Sequence, residues 1–341
     1  MIRKGVIMFN AKDYALIDLH LHLDGSLSLE NARALAKVEG IELPSDDAEL
    51  LSRLRVSKDC KDLNEYLERF ELPLTLLQSY DSLKNATYTL CEELCDAGLI
   101  YAEIRFAPQL HCRGALTQRD AVLAVTEGAK ESRLCASIIL CCMRGANNKE
   151  ENMLTAALTK EFLGKGVCAL DLAGAEALFS NDGFVDIFEY ARSLDIPFTL
   201  HAGEADGAKS VRSAIELGAS RIGHGVRSVE DRELLSIIKE KGIALELCPT
   251  SNLNTCVFKG IEDYPIRVFL NNGIIATVNT DNLAVSNTSL AEEYELLANA
   301  FSLSEDELLT LALNSARATF LPENEKNELT NNVKKRFTTL K

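Results

Sequence analysis

Hydrophobic residues cluster in eight short runs along the chain, and longer segments of mixed character separate these runs. The runs lie at 14–21, 98–108, 135–145, 167–174, 196–203, 220–225, 242–249 and 273–281. Nearly continuous Val, Ile, Leu and Cys is typical of strands that are buried on both faces of a parallel sheet. The pattern therefore predicts an α/β fold with eight strands.

Apolar residues recur every three or four positions between the runs, which predicts helices there. The predicted helices lie at 117–132, 150–163, 182–194, 208–217, 229–241 and 264–271. Gly218, Gly242 and Gly273 stand where three of them should end, because glycine readily adopts the left-handed conformation of a helix C-cap. Ser304 and Glu307 have the spacing of a capping box and predict a late helix that ends near Phe320.

Eight strand–helix units favour a closed (β/α)8 TIM barrel over an open, doubly wound sheet. An open sheet normally has a glycine-rich phosphate turn after its first strand, and the segment LDGSLS that follows the first run has no such motif. The connection at 25–97 is much longer than one helix and includes the helical pattern DLNEYLERFELPLTLL at 62–77. We expect a single barrel domain over 1–341, with the helices of 25–97 forming a lid at its mouth.

Composition and charge exclude several classes of protein. Acidic residues outnumber basic residues by 51 to 36, and the formal net charge of −15 argues against nucleic-acid or membrane-surface binding. No apolar run reaches the roughly 20 residues of a membrane span, and the apolar stretch in residues 1–13 is too short for a signal peptide. The ten cysteines include no CxxC pair, so we expect a reduced, cytoplasmic protein without a disulfide framework.

Histidines stand at the ends of the predicted strands, where a barrel enzyme carries its catalytic groups. His20 and His22 are two positions apart in the first strand, so both side chains point toward the barrel interior. His201 closes the fifth run, His224 the sixth and Asp281 the eighth. Imidazoles and a carboxylate that meet at a barrel mouth predict a metal site, with zinc favoured.

Two residues near this site have candidate roles besides simple metal binding. Glu204 lies three positions beyond His201, and a carboxyl buried beside a metal can act as a general acid because its pKa is raised. His224 is a candidate fourth imidazole ligand, but a catalytic metal site keeps one position open for water. The favoured hypothesis is therefore that His224 deprotonates and orients the attacking water. His111 is expected to be structural.

Seven motifs follow one another in the order of the predicted strands. They are LHLHLDGS (19–26), EIRFAP (103–108), DLAGAE (171–176), TLHAGE (199–204), RIGHG (221–225), LCPTSN (247–252) and VNTDN (278–282). With these motifs, the chain resembles the adenosine deaminase family of the amidohydrolase superfamily over about residues 15 to 320. The resemblance implies one Zn²⁺ per chain, and the matching ligands are His20, His22, His201 and Asp281.

The resemblance also implies roles for residues around the metal. Glu204 matches the family's proton donor, and His224 matches the histidine that orients the hydroxide. Gly174 matches the glycine whose N–H meets purine N3. The other predicted substrate contacts are His22, Asp24, Asn282, Leu63, Tyr66 and Phe70. The last three share one helix face over the purine, and simple core packing of that helix explains the same spacing.

Two positions depart from the pattern that is common in the family. Asn282 stands where many members have a second Asp, and its amide can still donate a hydrogen bond to purine N7. Ala175 stands where an acidic residue is common, and alanine cannot make the polar contact that an acidic side chain would make beside the site.

The resemblance implies deamination of a small-molecule nucleoside, adenosine or 2′-deoxyadenosine, in purine salvage. Adenine, N6-modified AMP and aminofutalosine are the alternative substrates, and no particular oligomeric state is predicted. Asp24 favours the nucleoside, because its carboxylate can accept a hydrogen bond from the ribose 5′-hydroxyl but repels a phosphate. A metal-binding pseudoenzyme is the alternative from another class, and the presence of Glu204 and His224 argues against it.

Overall fold

The computed structural model describes residues 14–339, with side chains up to Phe337. Eight parallel strands alternate with helices in this part of the chain. The strands are β1 Leu16–His22, β2 Leu99–Phe106, β3 Ala136–Met143, β4 Val167–Ala173, β5 Thr199–Ala202, β6 Arg221–His224, β7 Ala244–Leu247 and β8 Ile275–Val278. The expectation about a signal peptide concerns residues 1–13, which lie outside the described residues.

Backbone contacts join two four-stranded halves, β1–β4 and β5–β8, into a closed barrel. On one side, the N–H of Leu170 donates to the Pro197 carbonyl at 3.0 Å. On the other side, the N–H of His22 donates to the Asp281 carbonyl and the N–H of Asp281 donates to the His20 carbonyl, both at 2.7 Å. These contacts confirm the predicted (β/α)8 TIM barrel, and the second pair places the segment after β8 directly beside the two histidines of β1.

Fifteen α-helices lie within the described residues. They are α1 Leu29–Glu39, α2 Asp47–Leu54, α3 Leu63–Leu67, α4 Glu71–Leu76, α5 Tyr80–Asp96, α6 Gln118–Glu131, α7 Lys149–Phe162, α8 Val185–Ser193, α9 Ala208–Leu217, α10 Arg232–Lys241, α11 Pro249–Asn254, α12 Ile266–Asn272, α13 Leu290–Phe301, α14 Glu305–Ala318 and α15 Glu323–Thr339. Among these fifteen, none is long and apolar enough to cross a lipid bilayer.

The predicted helix ends are set by local capping groups. Gly218, Gly242 and Gly273 end α9, α10 and α12 with φ values of 103°, 65° and 66°. Ser304 and Glu307 form the predicted capping box at the start of α14. The helix predicted over 229–241 begins only at α10, because residues 226–230 form a 3₁₀ turn and Asp231 caps the first helical N–H groups.

The long connection after β1 serves two purposes. Its last helix, α5, packs against α6 in the outer ring of the barrel. The two helices approach so closely that a Cβ on Gly128 would lie 2.3 Å from the Lys84 carbonyl oxygen. In contrast, α3 and α4 place Leu63, Tyr66 and Leu74 over the mouth of the barrel. The part of 25–97 that covers the mouth is therefore the segment from α3 to α4.

Candidate active site

The carboxyl ends of β1, β5, β6 and β8 bring the predicted histidines and Asp281 together. Ligand atoms of His20, His201, His224 and Asp281 all lie within 4.8 Å of one another. His22 joins this group, because its Nε2 lies 3.2 Å from His201 Nε2 and 3.4 Å from Asp281 Oδ1. His22 and His224 are therefore the two candidates for the third imidazole ligand of a metal.

Two of the imidazoles are held by carboxylates on neighbouring strands. His20 Nδ1 lies 2.8 Å from Glu246 Oε2, and His201 Nδ1 lies 3.0 Å from Asp171 Oδ2. Because a carboxylate accepts hydrogen bonds, each Nδ1 carries the ring proton and each Nε2 keeps its lone pair. In the neutral ring, His20 Nε2 faces Asp281 Oδ1 at 3.4 Å and has no hydrogen-bond partner among the described residues. A cation between these two atoms would remove their repulsion, so the arrangement fits a metal site.

A buried ionic network fixes the supporting carboxylates. The Arg105 guanidinium donates to Asp171 and to Glu246, both at 2.8 Å, and Arg221 Nε donates to Glu246 at 2.7 Å. Burial raises the pKa of Glu246, but the charges of Arg105 and Arg221 outweigh burial and hold that pKa well below its usual range. None of these four residues had a role predicted from the sequence, although Arg105, Asp171 and Arg221 each lie in one of the seven motifs.

Glu204 lies on the loop after β5 and is only 4% exposed. Its Oε2 is 3.5 Å from His224 Nε2, and its Oε1 accepts a hydrogen bond from Thr255 Oγ1 at 3.3 Å. Burial and the negative charges of Asp281 and Glu176 raise the pKa of Glu204 well above its usual value. A carboxyl with a raised pKa holds its proton to higher pH, which suits general acid catalysis.

The buried carboxylate of Glu176 holds the loop that carries Glu204. It accepts hydrogen bonds from the four consecutive backbone N–H groups of residues 203–206, at 2.6 to 3.0 Å, and from Ser210 Oγ at 2.6 Å. These five bonds fix the backbone from which Glu204 extends. Sequence reasoning missed Glu176, and the only signal for it was its place at the end of the motif DLAGAE.

His224 and Asp281 share an unusual backbone conformation, with φ values of 60° and 61°. Residues other than glycine seldom adopt this left-handed region, and they persist in it where the surrounding structure holds them. Asp281 Oδ2 accepts a hydrogen bond from Ser251 Oγ at 2.6 Å, and His224 Nδ1 lies 3.0 Å from Asn252 Nδ2. Both supporting residues come from α11, whose motif LCPTSN had no assigned role.

A cavity of about 310 Å³ opens above these groups. The predicted site residues that line it are His22, Asp24, Leu63, Tyr66, Phe70, Gly174, His201, Glu204, His224, Asp281 and Asn282. His20 lies beneath the cavity and is fully buried, whereas His111 is buried elsewhere with Nδ1 2.8 Å from the Leu77 carbonyl. The volume suits one small-molecule ligand.

Two buried side chains in the cavity have oxygen atoms without a hydrogen-bond partner among the described residues. They are Asp24 Oδ1 and Asn282 Oδ1. Burial and the charge of Asp281 raise the pKa of Asp24 to about 7, and a hydrogen bond donated to its free oxygen would stabilise the charged form. Asn282 packs so closely on Gly25 that a Cβ there would lie 1.8 Å from Asn282 Oδ1.

The lid residues contact both the cavity and the barrel. Tyr66 is 1% exposed, and its hydroxyl lies 2.7 Å from Ser286 Oγ in the segment after β8. Its ring centroid is 6.4 Å from that of Phe70, and Leu63 packs in the same small apolar cluster. These residues therefore pack together in a small core and also cover the cavity. Whether they contact a purine there stays a prediction.

The profile of the family described as adenosine deaminase matches residues 15–336 of the chain. The chain belongs to the adenosine deaminase family. An adenosine deaminase from Haemophilus ducreyi is 46% identical over 95% of this chain and 97% of its own length. An adenosine deaminase from Enterococcus faecalis is 38% identical over 93% of this chain and 95% of its own length.

Solved structures of the family share the fold. An adenine deaminase from Arthrobacter aurescens superposes with a TM-score of 0.85 at 25% identity, over 94% of this chain and 98% of that one. An N6-methyl-AMP deaminase from Arabidopsis thaliana superposes with a TM-score of 0.82 at 25% identity, over 96% of this chain and 98% of that one. Proteins with this fold are thus named for different purine substrates, and the fold alone does not choose among them.

Proposed function

We propose that this chain is a zinc-dependent enzyme that hydrolyses adenosine and 2′-deoxyadenosine to inosine and 2′-deoxyinosine, with release of ammonia. One observation carries the proposal: a buried acid, Glu204, lines the same cavity as a cluster of histidines and Asp281. The 46% identical relative named adenosine deaminase supports the substrate, since it matches nearly the whole chain. The net charge of −15 is in keeping with a cytoplasmic enzyme that binds neither nucleic acid nor membranes.

Four residues would hold the metal, one Zn²⁺ per chain. They are His20, His22, His201 and Asp281. Three imidazoles and one carboxylate form a donor set that suits zinc and leaves a position open for water. When bound, zinc would lower the pKa of a water molecule from 15.7 toward ~7, so that hydroxide is available at neutral pH.

Glu204 supplies the acid in this proposal. It donates its proton to N1 of the purine, which draws electron density away from C6 and allows an oxygen nucleophile to attack that carbon. Water supplies the oxygen and the protons, and the exocyclic amino group leaves as ammonia. The lid excludes bulk water, which strengthens the electrostatic contacts within the cavity.

Three groups would orient the purine nucleoside. Gly174, with φ of 106°, presents its backbone at the cavity wall toward purine N3. The Asn282 amide donates to N7, and Asp24 accepts a hydrogen bond from the ribose 5′-hydroxyl. The unpaired Oδ1 of Asp24 supports this contact, because a buried acceptor without a donor is costly and the hydroxyl supplies one.

Substrate preference tests the proposal directly. We expect kcat/KM to be highest for adenosine and 2′-deoxyadenosine, lower for 5′-deoxyadenosine, and far lower for AMP and adenine. A phosphate ~4 Å from the Asp24 carboxylate in its ionised form would meet a repulsion of about 4 kcal/mol per unit charge at an effective dielectric of ~20. Asp24→Asn should therefore narrow the gap between adenosine and AMP. Equal efficiency on AMP and adenosine in the wild type, or a preference for adenine, would overturn the nucleoside assignment.

A further inference from the structure

The position of the ring proton on His224 decides what this histidine can do. A neutral imidazole carries one proton, and its two nitrogens then have opposite roles as donor and acceptor. His224 is 1% exposed; its Nδ1 faces Asn252 Nδ2 at 3.0 Å, and its Nε2 points toward Glu204 at 3.5 Å. If Asn252 donates to Nδ1, the proton must be on Nε2.

The orientation of the Asn252 amide follows from the hydrogen bonds on its other side. The Tyr264 hydroxyl lies 3.2 Å from Asn252 Oδ1. In this contact the phenol is the donor and gives its proton to Asn252 Oδ1. The amide nitrogen of Asn252 is then the atom that faces His224.

Packing holds Asn252 and Tyr264 in place. The Asn252 backbone N–H donates to the Cys248 carbonyl at 3.0 Å within the turn that starts α11. The Tyr264 ring is 2% exposed and packs edge-on against Phe258 at 5.3 Å between centroids. Both side chains are buried, so a polar atom that lost its hydrogen-bond partner here would be costly.

We propose that Asn252 and Tyr264 are positioning residues that fix the proton of His224 on Nε2. This inference rests on the proposed function for its catalytic meaning. With Nε2 protonated, His224 donates a hydrogen bond into the cavity and has no lone pair there for a metal. The third imidazole ligand is then His22. His224 also cannot remove a proton through Nε2, so it orients the attacking oxygen and is not its base.

Nuclear magnetic resonance of histidine-labelled protein tests the tautomer directly. The chain has five histidines, and long-range ¹H–¹⁵N spectra of ¹⁵N-histidine protein loaded with Zn²⁺ distinguish protonated from unprotonated ring nitrogens. His224→Gln identifies the signals of His224 by their loss. We expect a protonated Nε2 and an unprotonated Nδ1 for His224 in the wild type. A proton on Nδ1 would overturn the inference.

Variants test whether the two residues impose this tautomer. In Asn252→Asp, a carboxylate accepts where the amide donated, so the proton of His224 should move to Nδ1. We expect kcat for adenosine to fall about 10²-fold, the loss typical of removing one donor to a reacting oxygen, while KM changes less than threefold. Tyr264→Phe should leave the Asn252 amide free to rotate and give a mixture of tautomers with a smaller loss.

Controls separate positioning from general damage. Tyr294→Phe removes another buried phenol hydroxyl, outside the site, and should leave both the His224 signals and kcat unchanged. Wild-type tautomer and wild-type kcat in Asn252→Asp would contradict the inference. The spectra need no substrate, so they still decide the tautomer if the wild type fails to deaminate adenosine, whereas that failure would count against the proposed function alone.

Discussion

At the scale of single residues, the hydrogen bond made by one ring nitrogen of a histidine decides what the other nitrogen can bind. His20 and His201 donate from Nδ1 to Glu246 and Asp171, which leaves Nε2 for a metal. The sequence predicted the histidines, because strand ends and side-chain alternation place them at the barrel mouth. It could not predict the partner of His20, since Glu246 is 226 positions away and lies within an apolar run.

Glu204→Gln tests the proposed acid. The amide has nearly the same size and can keep the contact with Thr255, but it has no acidic proton for N1 of the purine. We expect the variant to keep its metal and its melting temperature and to lose ~10²–10⁴-fold in kcat, the usual contribution of general acid catalysis. Glu189→Gln on the exposed side of α8 is the matched control. Activity within threefold of wild type would remove Glu204 from this role.

Asn282→Ala tests the contact with purine N7. The variant should lose both binding and turnover of adenosine, because the amide donor is gone. 7-Deazaadenosine lacks the N7 acceptor, so the wild type should use it poorly and the variant should lose little more. Steady-state kinetics with both substrates give the comparison. An equal loss on the two substrates would show that the amide does not contact N7.

At the scale of helices and strands, regular apolar spacing and capping groups were sufficient to predict the crossover helices. The helices α13 and α15, which were not predicted, escaped prediction for opposite reasons. The helix α15 has few apolar residues, and only positions such as Val333 and Phe337 are buried. The helix α13 has many, but Glu293 lies on its buried face with no exposed surface and interrupts the apolar stripe.

Glu293 makes the stability of the barrel depend on pH. Burial raises the pKa of Glu293 to about 7, whereas in the unfolded chain the pKa of a Glu side chain is about 4.3. As pH rises through this interval, the folded state holds the proton that the unfolded state has released. The free energy of unfolding should therefore fall, by ~4 kcal/mol from this group, and stay level above about pH 8.

Glu293→Gln should remove that part of the pH dependence. Thr250 N–H and Thr288 Oγ1 both contact the carboxyl, and an amide can accept from the first and donate to the second. Relative to wild type, the variant should gain stability between pH 4.5 and 8 in urea titrations. Glu295→Gln on the same helix is the control. A constant difference between Glu293→Gln and wild type across this range would contradict the assignment.

At the scale of the whole molecule, counting alternating runs was enough to predict a closed barrel. The closure itself depends on backbone contacts between β1 and the segment after β8, such as those of His22 and Asp281, which no local pattern reveals. The lid was likewise only partly predictable from local sequence patterns. Helical spacing predicted extra helices within 25–97, but only packing separates α3 and α4 over the mouth from α5 in the outer ring.

The central claim is that one zinc ion at the strand ends supports deamination of adenosine. The most direct measurement titrates chelated, metal-free enzyme with Zn²⁺ while adenosine turnover and bound metal are followed together. We expect negligible activity without metal, a linear rise, and saturation at one Zn²⁺ per chain. Full activity in protein that elemental analysis shows to be metal-free, or saturation only at two ions per chain, would contradict the account.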